Sequence, residues 1–339
     1  MKILISSHFF YPSIGGLEEV SYILAEEFLK LGHEVKVVTQ TRETGERTLP
    51  YPVLRAPGSE ELLAAVRWCD VFFHNNPSLG TAWALLRCRR PWVVTHQTWT
   101  ARATGEVTTR DAFKHRLYRF ATNISISEAV AKSLIVPSQV IGNPYRAGQF
   151  HANPAVKRDR DLVYLGRLVS QKGVDILLDA LARLRVANLR PSLTIIGRGP
   201  DETLLKEQAA RLGIAEQVTF AGPKRDQELV DLLSAHRIMV VPSRWNEPFG
   251  VVALEGAACG CVVLGSSGGG LKDAIGAAGD TFPNGDAASL ASVLQYWLLA
   301  PDVLESFRAA APAHLAKFHP TTVAKRYLEV FAEACGKPV

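Results

Sequence analysis

Short apolar runs alternate with longer amphipathic ones along the whole chain, and this alternation limits the possible folds more than any other feature. The first half opens on KILIS (2–6), passes a glycine pair, and enters a helix-like run over 18–31 that Gly32-His33 stops. EVKVVTQ, DVFFHN and PWVVTHQ follow as strands and SEAVAKSLI as a helix. The second half repeats the rhythm with DLVYLGR, a helix over 173–187, SLTIIGRG, a helix over 201–212, VTFAG, a helix over 226–235, RIMVVPS, a helix over 251–259 and CVVLGSS. Strands that alternate with helices pair in parallel, because a parallel pair needs a crossover, and crossovers lay helices on both faces of the sheet. The expected class is α/β.

A chain of 339 residues is too long for one ordinary core and suits two domains of ~150 residues. The polar, charged stretch 147–161 (AGQFHANPAVKRDRD), with Pro154 inside it, is read as the boundary. The expected division is therefore 1–150, 151–319 and a tail over 320–339. Two doubly wound domains would face each other across a central cleft at the carboxyl ends of their strands, where ligands bind in such sheets.

Composition excludes several classes. With 47% hydrophobic and 21% charged residues the chain reads as an ordinary globular protein. No apolar run approaches the ~20 residues of a membrane span, and only Ile3–Ile5 follow Met1-Lys2, so a cleaved signal peptide is not expected. Five cysteines, without C-x-x-C pairs, fit reduced thiols in a cytoplasm rather than a zinc site or a disulfide framework. The net charge of +5 is unevenly placed: Arg87 to Arg119 hold eight Lys/Arg against Glu106 and Asp111. A polyanion, a phosphorylated substrate or an anionic membrane would suit such a patch, as would a plain solvated face.

Unusual residues fall at the strand ends. Gly15-Gly16 follow the first strand and open a helix, so backbone can approach a ligand there and N–H groups can meet an anion; a tight strand-to-helix turn is the other reading. In GRLVSQKG (166–173), Arg167 and Lys172 stand beside a helix start as a candidate diphosphate clamp, or as solvated cations. IIGRGPDE (195–202) places Gly197 at another strand end, yet lacks the third glycine and later acid of a dinucleotide fingerprint, and no P-loop occurs. In NEPFGVVALEG (246–256), Glu247 sits in a loop that Pro248 and Gly250 keep from being helical, and Glu255 lies in the helix that follows.

Together these residues resemble the retaining, nucleotide-sugar-dependent glycosyltransferases of family 4, which have the GT-B architecture. The likeness runs over most of the chain and is densest from 162 to 290. Its specific marks are GRLVSQKG and the E-x7-E motif of EPFGVVALE; YPSIGG, LGHEV, IIGRGP and PNGDAASL support it. The resemblance implies two Rossmann-like domains, an N-terminal one for the acceptor and a C-terminal one for the nucleotide-sugar, with a last helix crossing back to the first domain. The tail suits such a helix: Pro320 begins it, and Val323, Tyr327, Val330 and Phe331 share one stripe.

The resemblance also implies roles. Glu247 faces the donor sugar, Glu255 accepts hydrogen bonds from the ribose, and non-helical backbone at Pro248, Phe249 and Gly250 meets the sugar. His96, ending PWVVTHQ, takes the place of a histidine near the reacting sugar; a structural histidine at a strand end is the alternative, and His74 is read that way. Asn143 stands where relatives have an Asn-Gly turn, here followed by Pro144, and Asp273 replaces a more usual glutamate. The implied reaction moves a glycosyl group from a UDP- or GDP-sugar to an acceptor hydroxyl with retention. Arg167, Lys172 and the N–H groups near Gly15-Gly16 would stabilise the departing diphosphate, so neither metal nor other cofactor is expected. A nucleotide-sugar epimerase and a non-catalytic nucleotide-sugar or nucleic-acid binding module are the competing readings. The expected setting is cytoplasmic, with segment 102–119 as a peripheral contact to the inner membrane face and no specific nucleic acid.

Overall fold

A computed structural model describes residues 1–13, 15–99 and 114–337. The chain divides into two compact units, one of Met1–Pro144 with His319–Val339 and one of Tyr145–Phe318.

The first unit holds a seven-stranded sheet built from β1 (Lys2–Ser6), β2 (Glu34–Thr39), β3 (Val53–Arg55), β4 (Val71–Asn75), β5 (Trp92–His96), β6 (Thr122–Ser125) and β7 (Gln139–Val140), in the order β3-β2-β1-β4-β5-β6-β7. The pairs are parallel, with Ile3 opposite both Val35 and Val71. The central strands read as near-continuous apolar runs because helices cover both faces, and Ile3, Leu4, Ile5, Phe72 and Phe73 are fully buried.

The second unit repeats the plan with β8 (Arg160–Leu165), β9 (Leu193–Ile196), β10 (Val218–Gly222), β11 (His236–Val241), β12 (Val262–Ser266) and β13 (Gly279–Phe282), ordered β10-β9-β8-β11-β12-β13 and again parallel. In each sheet the strand order reverses once, between β1 and β4 in the first and between β8 and β11 in the second. In open sheets of this kind ligands bind beyond the carboxyl ends of the strands at such a reversal.

The helix Pro320–Ala334 is part of the first unit. Its stripe of Val323, Tyr327, Val330 and Phe331 is buried. Phe331 meets the rings of Phe73 at 5.2 Å and Phe28 at 5.5 Å, and Thr95 Oγ1 donates to the Tyr327 hydroxyl at 3.2 Å.

The division falls between 144 and 145 rather than at 150. The reason is that the stretch read as a linker is fastened to the second unit. Asn153 bonds through its backbone to Ser234 Oγ and through its amide to Asp231, and Arg158 donates to the carbonyls of His236 and Cys259. Among the described residues no single helix is long and apolar enough to cross a membrane. The basic segment 102–119 lies outside the described residues as far as 113; beyond that, Arg116 and Arg119 are exposed.

Candidate functional site

In the second unit the loops that leave β8 and β11 meet at the reversal point. Gly166 donates its N–H to the Ile196 carbonyl at 3.0 Å, and a short 3-10 turn, Ser170–Lys172, ends at Gly173. Gly173 has φ +67°, and a Cβ there would stand 2.0 Å from the Pro242 carbonyl oxygen. Only glycine allows the two loops so close. The Gln171 carbonyl then accepts from the N–H groups of Arg244 and Trp245 at 3.0 and 3.2 Å.

That backbone contact brings together side chains 75 residues apart. Lys172 Nζ donates to Glu247 Oε1 at 2.6 Å, and the buried Ser243 hydroxyl donates to the same oxygen at 2.7 Å. A third loop, after β12, holds the backbone of Glu247 through a bridge to Gly269 and the Gly270 N–H, 2.7 Å from the Glu247 carbonyl. The Glu247 carboxylate is 12% exposed, and the Lys172 ammonium arm 28%. The pair is therefore shielded yet reachable, where a charge-assisted hydrogen bond is strong.

The other candidates of this unit surround the pair in sequence and structure. Arg167 is exposed, and among the described residues its side chain makes no hydrogen bond or ion pair. Its carbonyl accepts from the Tyr164 hydroxyl at 2.8 Å. Burial first, and then the charge of Glu247, push the Tyr164 phenol up, with Arg167 opposing. Gly197, φ +138°, lies against the Gly166 carbonyl, 1.9 Å from where its Cβ would be. Residues 248–250 are non-helical, Gly250 takes φ +105°, and the helix Val251–Ala258 starts directly after it with Glu255 half-buried on its second turn. Phe249 is 2% exposed and packs on Phe318 at 5.5 Å, so its ring belongs to the packed interior.

In the first unit Gly16 is exposed and begins the helix Gly16–Lys30, with open space where its side chain would be. Gly15 is extended, and the Glu18 carboxylate stands 2.3 Å from its would-be Cβ, so a first-turn acid already leans on this helix start. His74 is fully buried with both nitrogens engaged: Trp92 Nε1 donates to Nδ1 at 2.7 Å, which leaves Nε2–H to donate to Thr81 Oγ1 at 2.8 Å. Burial pulls its pKa down to about 3. His96, 1% exposed, bonds through Nε2 to Asn123 Oδ1 at 3.0 Å, and its Nδ1 has no hydrogen-bond partner among the described residues. Burial pulls its pKa down to about 4, against the Asn123 bond. Asn143 and Gln97 exchange two amide hydrogen bonds at 2.8 and 3.1 Å, so Pro144 does not prevent an ordered contact there.

Two residues of this arrangement, Ser243 and Asn123, carry no distinctive sequence signal. Ser243 lies four residues before Glu247, a spacing that puts a hydroxyl on the same loop, but VPS reads as a strand end. Asn123, in TNIS, carries no motif signal at all. Among the described residues no group of three or more His, Cys, Asp or Glu is placed to hold a metal ion.

Residues 147–314, nearly the whole second unit, match the family model described as glycosyl transferases group 1. Similar curated proteins include the D-inositol 3-phosphate glycosyltransferase of Thermobispora bispora, 37% identical over 187 residues, covering 52% of this chain and 43% of that protein. A glycogen synthase of Mycobacterium tuberculosis is 34% identical over 194 residues, covering 56% and 45%. The chain thus spans less than half the length of these relatives. Among solved structures, Anabaena Alr3699/HepE in complex with UDP and glucose superposes with a TM-score of 0.80 at 21% identity, covering 98% of this chain and 100% of that one. WaaG, a glycosyltransferase involved in lipopolysaccharide biosynthesis, does so with 0.66 at 16%, covering 97% and 99%. By sequence the second unit is similar to group 1 glycosyl transferases over nearly its whole length, and by fold the entire chain is GT-B-like.

Proposed function

We propose that this protein is a retaining glycosyltransferase that moves a sugar from a nucleoside-diphosphate sugar to an acceptor hydroxyl. The observation that carries the reading is the Lys172–Glu247–Ser243 cluster at the reversal point of the sheet that matches group 1 glycosyl transferases. The structural neighbour in complex with UDP and glucose supports uracil as the donor base.

In this reading Arg167 and Lys172 hold the diphosphate, Gly197 lets backbone approach the nucleotide, and Glu255 accepts hydrogen bonds from the ribose. Glu247 and the backbone of 248–250 orient the sugar. The role of His96 is to accept a sugar hydroxyl, and that of Gly15-Gly16 to offer N–H groups to the diphosphate. In the step itself the bond between the anomeric carbon and the phosphate oxygen breaks as a bond to the acceptor oxygen forms on the same face. The acceptor proton passes to the departing phosphate oxygen, so no separate base is needed. Positive charge grows on the ring and negative charge on the leaving group, and the two cations stabilise the latter most in the transition state. This scheme requires neither a metal nor another cofactor.

A cytoplasmic setting, with the basic stretch 102–119 as a peripheral contact to anionic membrane, belongs to the same proposal. The exposure of Arg116 and Arg119 beside Phe120, itself 80% exposed, supports that contact. A panel of UDP- and GDP-sugars tests the main reading, because a bound donor raises the melting temperature by mass action. Transfer from the stabilising donor should follow, with the product's anomeric configuration unchanged by NMR. No stabilisation and no transfer with any member of the panel would sink it.

A further inference from the structure

We infer that Asn123 is a positioning residue for His96: it fixes the imidazole proton on Nε2 and leaves Nδ1 as a bare acceptor for a hydroxyl of the donor sugar. The inference rests on the glycosyltransferase reading for the identity of the hydroxyl, but not for the state of the imidazole.

The orientation of Asn123 is settled by its own partners. Its Nδ2 donates to the Tyr118 carbonyl at 2.8 Å and to the Ala121 carbonyl at 2.9 Å. A flipped amide would point its oxygen at two carbonyl oxygens, so Oδ1 is the atom that faces His96 Nε2 at 3.0 Å. An amide oxygen accepts only, and the neutral imidazole must therefore carry its proton on Nε2. Nδ1 then holds a lone pair. The Tyr118 ring, whose centroid lies 4.7 Å from that of His96, packs edge-on and limits ring rotation.

His74 shows what a purely structural histidine looks like in the same sheet. It has the same Nε2–H tautomer, yet its Nδ1 is filled by the Trp92 indole. His96 ends β5 at the carboxyl end of the sheet, the end at which open α/β sheets bind ligands, and its Nδ1 is buried without a partner among the described residues. A buried acceptor left unpaired costs free energy and calls for an explanation. A sugar hydroxyl supplies the missing donor. Burial and the neighbouring His115 both disfavour a second proton on the ring, so His96 accepts from the hydroxyl and is not a cation beside the sugar.

The test uses the full chain labelled with 15N-histidine at pH 7.5. His96 should show a protonated Nε2 and an unprotonated Nδ1, and saturating UDP-sugar should shift Nδ1 toward the value of a hydrogen-bonded nitrogen. Asn123→Leu should release the tautomer and lower kcat/KM by roughly threefold to tenfold, the worth of one hydrogen bond, with affinity for free UDP kept. A proton on Nδ1 in the wild type overturns the proposal without reference to activity, even where Asn123→Leu does not fold. So does an Nδ1 resonance that ignores saturating donor. Absence of transfer by the wild type from every donor, with the tautomer as expected, overturns the hydroxyl assignment together with the glycosyltransferase reading and leaves the Asn123–His96 geometry standing.

Discussion

Both hydrogen bonds to the Glu247 side chain end on Oε1, so Oε2 carries the rest of its capacity to accept from a sugar. Lys172→Met removes an ammonium that reaches both this carboxylate and, in the proposed reaction, the diphosphate. Charge-assisted hydrogen bonds contribute about 1.5–3 kcal/mol, so turnover should fall about tenfold to a hundredfold. The pair is largely shielded, but Ser243 still donates to the carboxylate when the ammonium is removed, so a melting curve should move by only a few degrees while kcat drops. Unchanged kinetics would remove Lys172 from the clamp. The two glutamates should separate by assay. Glu255→Gln should weaken binding of free nucleoside diphosphate and of donor alike in calorimetric titration, because the proposed contact is to ribose. Glu247→Gln should leave nucleotide affinity nearly intact and lower kcat. Identical behaviour of the two variants would refute the division of roles.

At the scale of elements, the helix Pro320–Ala334 finishes the core of the first unit, with Tyr327 and Phe331 fully buried between Phe28 and Phe73. Phe331→Ala should cost about 3–5 kcal/mol through the lost area and the cavity left behind. Tyr327→Phe, which takes the acceptor from the Thr95 hydroxyl, should cost about 1 kcal/mol. Hydrogen exchange locates the damage: amides of β4 and β5 should exchange faster, and those of β11 and β12 should not change. Acceleration in both sheets would mean that the helix does not act within one unit. The same element shows what a sequence discloses. Its apolar stripe is periodic and readable, as are the runs of β1, β4, β5, β8 and β11, whose ends fall within one or two residues of expectation. β3, β6, β7 and β13 do not stand out in the sequence. Val53–Arg55 and Gln139–Val140 are too short for a period, and GDTF (279–282) carries no apolar run; each becomes a strand through the neighbour it pairs with. The helices Ser59–Trp68, Ala287–Leu299 and Pro301–Leu315 also fall outside the elements that the sequence predicts. The site divides in the same manner. Arg167, Lys172, Glu247 and Glu255 stand out by type and spacing, whereas Ser243 and Asn123 are ordinary polar residues whose part depends on what loop packing sets beside them.

Across the whole molecule, buried neutral histidines govern the response to acid. Burial holds His74 near a pKa of about 3 and His96 and His236 near about 4, against about 6.5 in an unfolded chain. Between those values the unfolded state binds more protons, so stability rises with pH there and is lost as pH falls from about 6.5 toward about 4. Calorimetry should show a melting temperature that is steady from pH 8 to 7 and declines steadily below about 6.5. A flat profile down to pH 5 would contradict the buried, neutral state of these rings. His74 and His96 lie in the first unit and His236 in the second, so both should weaken. The two units differ in a further respect. The second is one continuous stretch of chain, while the first is closed by residues that follow it. A ribosome adds about 5–20 residues per second, so roughly ten to thirty-five seconds separate the last strand of the first unit from the helix that seals it. During that interval Phe28 and Phe73 lack Tyr327 and Phe331, and the segment made later is the first able to complete its own fold. Order of synthesis and order of completion are thus reversed, and the early half of a nascent chain is the half that chaperones would find open.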